Sequence, residues 1–349
     1  MKTEFIKADI SKPLDDQLTP AAEILKRGGL VAFPTETVYG LGACALDSDA
    51  AKKIYAAKGR PSDNPLIIHI SRPEDAEKYC FTNETFYKLS SAFMPGPITV
   101  IMPKKPIIPD AVTGGLDTVA VRIPSDKVAN KLIELCGFPI AAPSANISGK
   151  PSPTDADAVM RDMNGRIDMV IDGGECNIGV ESTIVKPISD GVKLLRPGGI
   201  TVGMLEAVVG KVEIDPVITE KPTDDRKPEA PGMKYRHYAP IAKMTLICGD
   251  GKDFFERAAE FINKKISENE NTGVLCSDEA AAKIKGKYVV SLGAGNDPAM
   301  HAHRLFKALR NFDDMPVDRI YAISDGKDEV ELAVYNRMIK AAGYDIISI

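Results

Sequence analysis

The alternation of strand-like and helix-like segments breaks once along this chain, and the break decides what can fold with what. From about Ile214 to Pro240 the sequence IDPVITEKPTDDRKPEAPGMKYRHYAP carries five prolines and many charges, with little apolar periodicity. That is linker composition, semi-extended and poor at building a core. A chain of 349 residues exceeds what one hydrophobic core usually supports. Two domains are therefore expected, over 1–212 and 241–349, joined by a linker over 213–240 that would lie over the active site. The end of the linker, APGMKYRHYAP, is unlike a plain spacer, because two Tyr, a His and two basic residues crowd into a few positions.

Before the break, helical and strand patterns alternate. AAEILKRGG stops at Gly28-Gly29 and leads into the strand-like LVAFP. A helix runs through DSDAAKKIYAAKGR, with Asp47 or Ser48 as its N-cap. LIIHI, ITVIMP, TVAVRIP, FPIAAP, MVIDGG, STIVKP and KLLRP read as strands, several rich in β-branched residues. Some of their connections are too short for a helical crossover, which predicts a mixed sheet in a three-layer α/β domain. After the break, MTLICGD, TGVLCS, KYVVSLG, RIYAISD and YDIISI alternate with helical segments. In the first of these helices Phe254, Ala258, Phe261, Ile262 and Ile266 fall on one face. This pattern predicts a smaller, Rossmann-like doubly wound domain.

Several common chemistries are excluded. GxxxxGK[ST] does not occur. Gly293-Ala-Gly295 follows a strand, but Pro298 stands where the dinucleotide fingerprint needs its third glycine. His301 and His303 lie two apart on a helix with no acidic partner motif, which reads as exposed helix surface. Six scattered cysteines without a CxxC pair suit neither zinc nor a disulfide framework; they read as small buried hydrophobes in a reducing cytosol. No run of ~18 apolar residues suggests a membrane span, so a cytoplasmic protein is expected. A net charge of −5, aromatics at 6% and no Trp weigh against a dedicated nucleic-acid binder and against base stacking.

The remaining polar residues concentrate at strand ends, where α/β sheets bind ligands. FPTETVYGLG (33–42) follows a strand, and AAKGRPSDNPLIIHI (56–70) puts Lys58, Arg60, Ser62, Asn64 and His69 around a helix-to-strand turn. In TVAVRIP, alternation places Thr118, Ala120 and Arg122 on one face. A guanidinium on a buried strand needs an anionic partner. AAPSANISGKPSPT (141–154), GGECNIGVESTIVKP (173–187) and LLRPGG (194–199) complete the set. A cleft uniting Lys58, Arg60, Arg122 and Arg196 suits a polyanion such as a triphosphate together with a carboxylate. The residues by themselves therefore indicate an anion-binding α/β enzyme.

In FPTETVYGLG, KGRPSDNPL, VAVRIP, APSANISGKPSPT, GVESTIVK and LLRPGGIT, the chain resembles the YrdC-like family, in its longer two-domain threonylcarbamoyl-AMP synthase form. The motifs keep order and spacing from about residue 15 to 210, and the APGMKYRHYAP segment and trailing domain are similar as well. The resemblance implies a twisted open mixed sheet with a concave basic face. It implies a reaction joining L-threonine, bicarbonate (or carbon dioxide) and ATP into threonylcarbamoyl-AMP, with release of pyrophosphate. A downstream tRNA threonylcarbamoyltransferase would then modify the adenosine beside the anticodon. Mg²⁺ would travel on the ATP phosphates, with no organic cofactor and at most weak contact with tRNA. The resemblance assigns Lys58, Arg60, Ser144 and Asn146 as the catalytic set. It assigns Thr37, His69, Arg122, Ala142 and Ser182 to threonine, and Arg60, Asn64, Thr118, Ser144, Ser152, Arg196 and Tyr235 to ATP, Tyr238 being the alternative to Tyr235. Two competing readings remain: a carbamoyl-adenylate former acting on carbamoyl phosphate, and an RNA-binding module.

Overall fold

The computed structural model describes residues 2–221, 228–233, 237–249, 251, 253–324 and 331–349. The chain forms two compact units, Met1–Ser148 with Ser152–Lys234 and Gly149–Pro151 with Tyr235–Ile349.

The strands of the first unit are β1 (Glu4–Lys7), β2 (Val31–Phe33), β3 (Gly40–Cys44), β4 (Ile67–His69), β5 (Ile98–Pro103), β6 (Thr118–Arg122), β7 (Ile140–Ala142), β8 (Met169–Asp172), β9 (Thr183–Ile188), β10 (Gly191–Arg196) and β11 (Val212–Ile214). They make one sheet in the order β1-β8-β2-β3-β7-β4-β6-β5-β9-β10-β11. It is mixed, as the short connections require: β4 and β6 run parallel, while β7 and β5 flank them antiparallel. The glycine-rich Gly40–Cys44 pairs as a strand that its composition does not suggest. Gly42 is needed there, because a Cβ would lie 2.8 Å from both the Phe33 ring and Ile140.

Helices Asp15–Lys26 and Lys127–Cys136 bury Leu18, Leu25, Val128 and Leu132 against Val31, Phe33, Ile140 and Met169. Further along the sheet, Ile67, Ala120, Ile101 and Ile184 are covered instead by Val217, Ala230 and Met233. This corrects the expectation that the proline-rich stretch stays outside any core. Its few apolar residues are spent on one face of the sheet, and periodicity does not reveal them.

The helix Ser48–Lys58 delivers the first candidate residue. Asp47 is its N-cap, accepting hydrogen bonds from Asp49 N and Ala50 N, and Gly59 ends it in the left-handed region at φ 63°.

In the second unit β12 (Lys243–Cys248), β13 (Thr272–Cys276), β14 (Tyr288–Ser291), β15 (Arg319–Ile323) and β16 (Ile346–Ser348) form a parallel sheet in the order β14-β13-β15-β12-β16. The predicted helix Phe254–Glu268 packs Phe254, Ala258 and Ile262 into its core. His301 is a correction. It is buried rather than exposed, and its Nδ1 lies 3.3 Å from Glu331 Oε2 on the helix Glu331–Ala341. Hydrogen bonding to that carboxylate raises the imidazole pKa. The partner comes from a distant helix, so no local acidic motif announces it.

Replacing Asp47 with Ala removes the cap of the helix that carries Lys58. We expect a loss of about 1 kcal/mol, read as a lower urea midpoint at unchanged slope.

Candidate active site

Strand register, more than proximity in sequence, assembles the site. His69 lies opposite Ile140 across β4 and β7, and beside Arg122 across β4 and β6. Arg122 lies opposite Thr99 on β5, Thr99 beside Ile184 on β9, and Ile184 opposite Arg196 on β10. Paired positions share a face. The result is a transverse row, Ile140–His69–Arg122–Thr99–Ile184–Arg196, crossing six strands. Two residues along the strands, on the same face, lies an apolar row, Ala142–Ile67–Ala120–Ile101, and Ile67, Ala120 and Ile101 of this row lie under Ala230 and Met233.

Hydrogen bonds tie the polar row together. Thr99 Oγ1 lies 2.7 Å from Ser182 Oγ, which accepts a hydrogen bond from Arg196 Nη2 at 3.1 Å. Arg196 Nε donates to Ser182 O at 3.0 Å, and Nη1 reaches Pro231 O at 3.5 Å. The guanidinium therefore joins Ser182 to the covering segment. Burial, followed by the charge of Arg122, pulls the His69 pKa down to about 3. The imidazole is neutral at physiological pH, with Nδ1 3.3 Å from Ile140 O.

The anionic partner expected for Arg122 is Glu36, whose Oε1 lies 2.8 Å from Arg122 Nη2, with both side chains buried. Glu36 stands within the FPTETVYGLG motif, yet nothing local in the sequence links it to a residue on a distant strand. Thr37, beside it, shares a 2.9 Å hydroxyl contact with Thr35.

Lys58, Ser144 and Asn146 form a second cluster. Lys58 Nζ donates to the carbonyls of Ser144 and Asn146, both at 2.5 Å, and Ser144 Oγ donates to Asn146 Oδ1 at 2.5 Å. Ser148 N donates to Lys58 O at 2.9 Å, so the helix end and the Ser/Asn turn are locked together. A bridge between Gly40 and Ser144 joins that turn to β3. Arg60 closes its own turn, with Nε on Asn64 O at 3.3 Å and Nη2 on Pro65 O at 3.1 Å. Asn64 Oδ1 is buried and has no hydrogen-bond partner among the described residues.

Ser152 Oγ donates to Glu181 Oε1 at 2.5 Å, a buried pairing that sequence reasoning did not include. Thr118, half-buried, starts β6 and so stands about 13 Å along the strand from Arg122. Tyr235 falls outside the described residues. Its alternative, Tyr238, packs its ring on Phe306 with centroids 5.1 Å apart, in the second unit. Among the described residues no three His, Cys, Asp or Glu side chains group to hold a metal, and no helix is long and apolar enough to cross a membrane.

Residues 23–198 match the family model Sua5_yciO_yrdC, described as telomere recombination. Residues 200–343 match Sua5_C, described as the C-terminal domain of threonylcarbamoyl-AMP synthase. The threonylcarbamoyl-AMP synthase of Pyrococcus abyssi is 48% identical over 94% of this chain and 95% of its own length. The chain belongs to the threonylcarbamoyl-AMP synthase family. The Bacillus subtilis synthase is 45% identical over 99% of this chain and 100% of its own. P. abyssi Sua5 complexed with L-threonine superposes with a TM-score of 0.91 at 45% identity, over 100% of both chains. The synthase fold of two α/β units is thus common to both, including the large mixed sheet that carries the polar row.

His69 makes stability depend on pH with a definite sign. Unfolded histidine titrates near 6.5, whereas in the folded protein the ring stays neutral down to about 3. Below pH 6.5 protons therefore favour the unfolded chain. The contribution is intact above pH 6.5 and is lost as pH falls towards 3. Between pH 7 and pH 5 it amounts to about 2 kcal/mol. Denaturant titrations at the two pH values should show that much less acid sensitivity in H69Q.

Proposed function

We propose that this chain makes threonylcarbamoyl-AMP from L-threonine, carbon dioxide or bicarbonate, and ATP, and releases pyrophosphate. The observation that carries this reading is the transverse row, in which Arg122 pairs across the strands with Thr99, whose hydroxyl reaches Ser182 and through it Arg196. Two buried guanidinium groups in such an array suit one substrate with a carboxylate and another with phosphates.

Arg122 takes the threonine carboxylate, since a planar fork matches a planar acid. Thr37 and the neutral His69 pair with the substrate hydroxyl, and Ala142 and Ser182 complete that pocket. Neutrality suits His69, because an imidazolium beside Arg122 would add a second buried cation. Arg60, Asn64, Thr118, Ser144, Ser152 and Arg196 face the nucleotide. ATP arrives with Mg²⁺ on its phosphates, held by phosphate oxygens and water.

The threonine amine captures carbon dioxide to form a carbamate. A carbamate oxygen then attacks the α-phosphorus, and pyrophosphate leaves. Negative charge grows on the α-phosphate oxygens and on the leaving group, so fixed cations and donors stabilise that state most. Arg60 and Arg196 serve as cations. Lys58 acts chiefly by holding the Ser144–Asn146 turn, as its bonds to both carbonyls support. The product passes in the cytoplasm to a transferase that modifies tRNA.

Pyrophosphate release with ATP and bicarbonate tests this reading. Release should require L-threonine. L-serine should be poorer by a factor reflecting roughly 1–3 kcal/mol for the missing methyl contact. Release independent of any amino acid would overturn the reading.

Ala230 and Met233 roof the apolar row beside the reacting groups. A dry roof protects a labile carbamate from water and strengthens the charges below it. M233D places a carboxylate in that roof. Turnover should fall roughly tenfold or more through misplacement of the covering segment, while the far-ultraviolet circular dichroism of the chain is kept.

A further inference from the structure

Threonine presents three groups for recognition: a carboxylate, a hydroxyl, and an α-amine that must shed protons before and during capture of carbon dioxide. The residues assigned so far give the amine no fixed negative charge. Glu36 has that character. The residue is 7% exposed, its carboxylate touches Arg122 Nη2 at 2.8 Å, and among the described residues none donates a hydrogen bond to Oε1 or Oε2. A buried carboxylate with unspent lone pairs is costly unless a donor arrives to use them.

The backbone that carries Glu36 is fixed before any substrate binds. Thr35 Oγ1 accepts from Thr37 N and Val38 N and donates to Val38 O at 2.6 Å. Ile178 N donates to Glu36 O at 2.9 Å, and Gly179 N to Thr37 O at 3.1 Å. The backbone thus sets where the Glu36 side chain meets Arg122. Other ionisable groups around it are already engaged or neutral. Asp126 accepts from Val128 N and Ala129 N, and burial pushes its pKa up. Burial also pushes up the Cys176 thiol, and it keeps His69 neutral.

We propose that Glu36 accepts the α-amino group of threonine and takes up the proton this amine releases as its nitrogen bonds to carbon dioxide. The bound ammonium first gives one proton to solvent; the nitrogen lone pair so freed forms the N–C bond, and one C–O π pair moves onto oxygen. One N–H proton passes to the Glu36 carboxylate. The products are a carbamate and a neutral Glu36, which returns its proton to solvent before the next turnover. The inference rests on threonine and carbon dioxide being substrates of this site.

The test separates this role from simple support of Arg122. E36Q keeps the shape and removes the charge. Calorimetry on the full chain compares L-threonine with 3-hydroxybutyrate, which is threonine without its amine. Threonine should bind roughly 10- to 100-fold more weakly to E36Q through loss of a charged hydrogen bond. Binding of 3-hydroxybutyrate should hold or improve. Pyrophosphate release at saturating threonine should fall about 10²- to 10⁴-fold, with partial recovery in E36D. Equal weakening of both ligands would show that Glu36 only holds Arg122, and turnover of E36Q at the wild-type rate would equally overturn the proposal. Should E36Q fail to fold, E36D carries the same comparison, with threonine alone losing affinity. If the unaltered chain releases no pyrophosphate with threonine, the synthase reading itself fails and this proposal falls with it.

Discussion

A guanidinium buried in the middle of a sheet constrains everything near it. Arg122 is 4% exposed and sits at the end of a strand whose other inward side chains are apolar or small. It cannot be desolvated without an opposite charge close by. Glu36 supplies that charge, and its position depends on the β2–β3 loop being locked by Thr35 and by the 178–179 backbone. The register of β4, β6, β5, β9 and β10 then lines up His69, Thr99 and Arg196 with Arg122. Sheet pairing thus works here as a positioning device. Moving β6 by one residue would turn Arg122 to the opposite face and dismantle the row.

The adjacent apolar row gives the polar one its strength. Ile67, Ala120 and Ile101 have no chemistry of their own, but with Ala230 and Met233 over them they exclude water from one flank of the site. Electrostatic interactions gain several-fold when the effective dielectric falls from that of water to that of a protein interior. Pro231 belongs to the same covering segment, and its carbonyl is a ligand of Arg196. The roof and Arg196 are therefore coupled by a hydrogen bond. Any shift of residues 230–233 is felt at Arg196 as well as at the solvent boundary.

How much of this could be read from the sequence varied with how local the signal was. Asp47 as a cap, the helix Ser48–Lys58, and Arg122 as a misfit in an apolar strand all rest on neighbours within a few residues. Each was legible. Gly40–Cys44 was not, because GLGAC has poor strand propensity, and its glycines answer instead to the Phe33 ring packed against them. Glu36, Thr99 and Glu181 lie in segments that the sequence already marks, but their partners Arg122, Ser182 and Ser152 are 29 or more positions away. Pairings of that kind depend on register, which no single segment encodes. His301 fails for the same reason, since Glu331 reaches it from another helix. The buried residues of the linker fail for a different one. Val217, Ala230 and Met233 are isolated among prolines and charges, so they leave no periodic trace.

The Glu36–Arg122 pair also bears on which substrates the pocket can admit. Desolvating a lone anion beside Arg122 would leave Glu36 without its cation, and desolvating a lone cation would do the converse. A zwitterion brings one charge of each sign, so it can replace the internal contact with two external ones while the net charge of the dry pocket stays the same. An α-amino acid is the smallest common molecule that does this with both charges on one carbon, a spacing that suits two side chains 2.8 Å apart. On the proposed reading, selection for the threonine side chain then falls to the hydroxyl of Thr37, the neutral ring of His69 and the small Ala142. Charge pairing admits the class of substrate, and neutral groups in the adjoining positions choose the member.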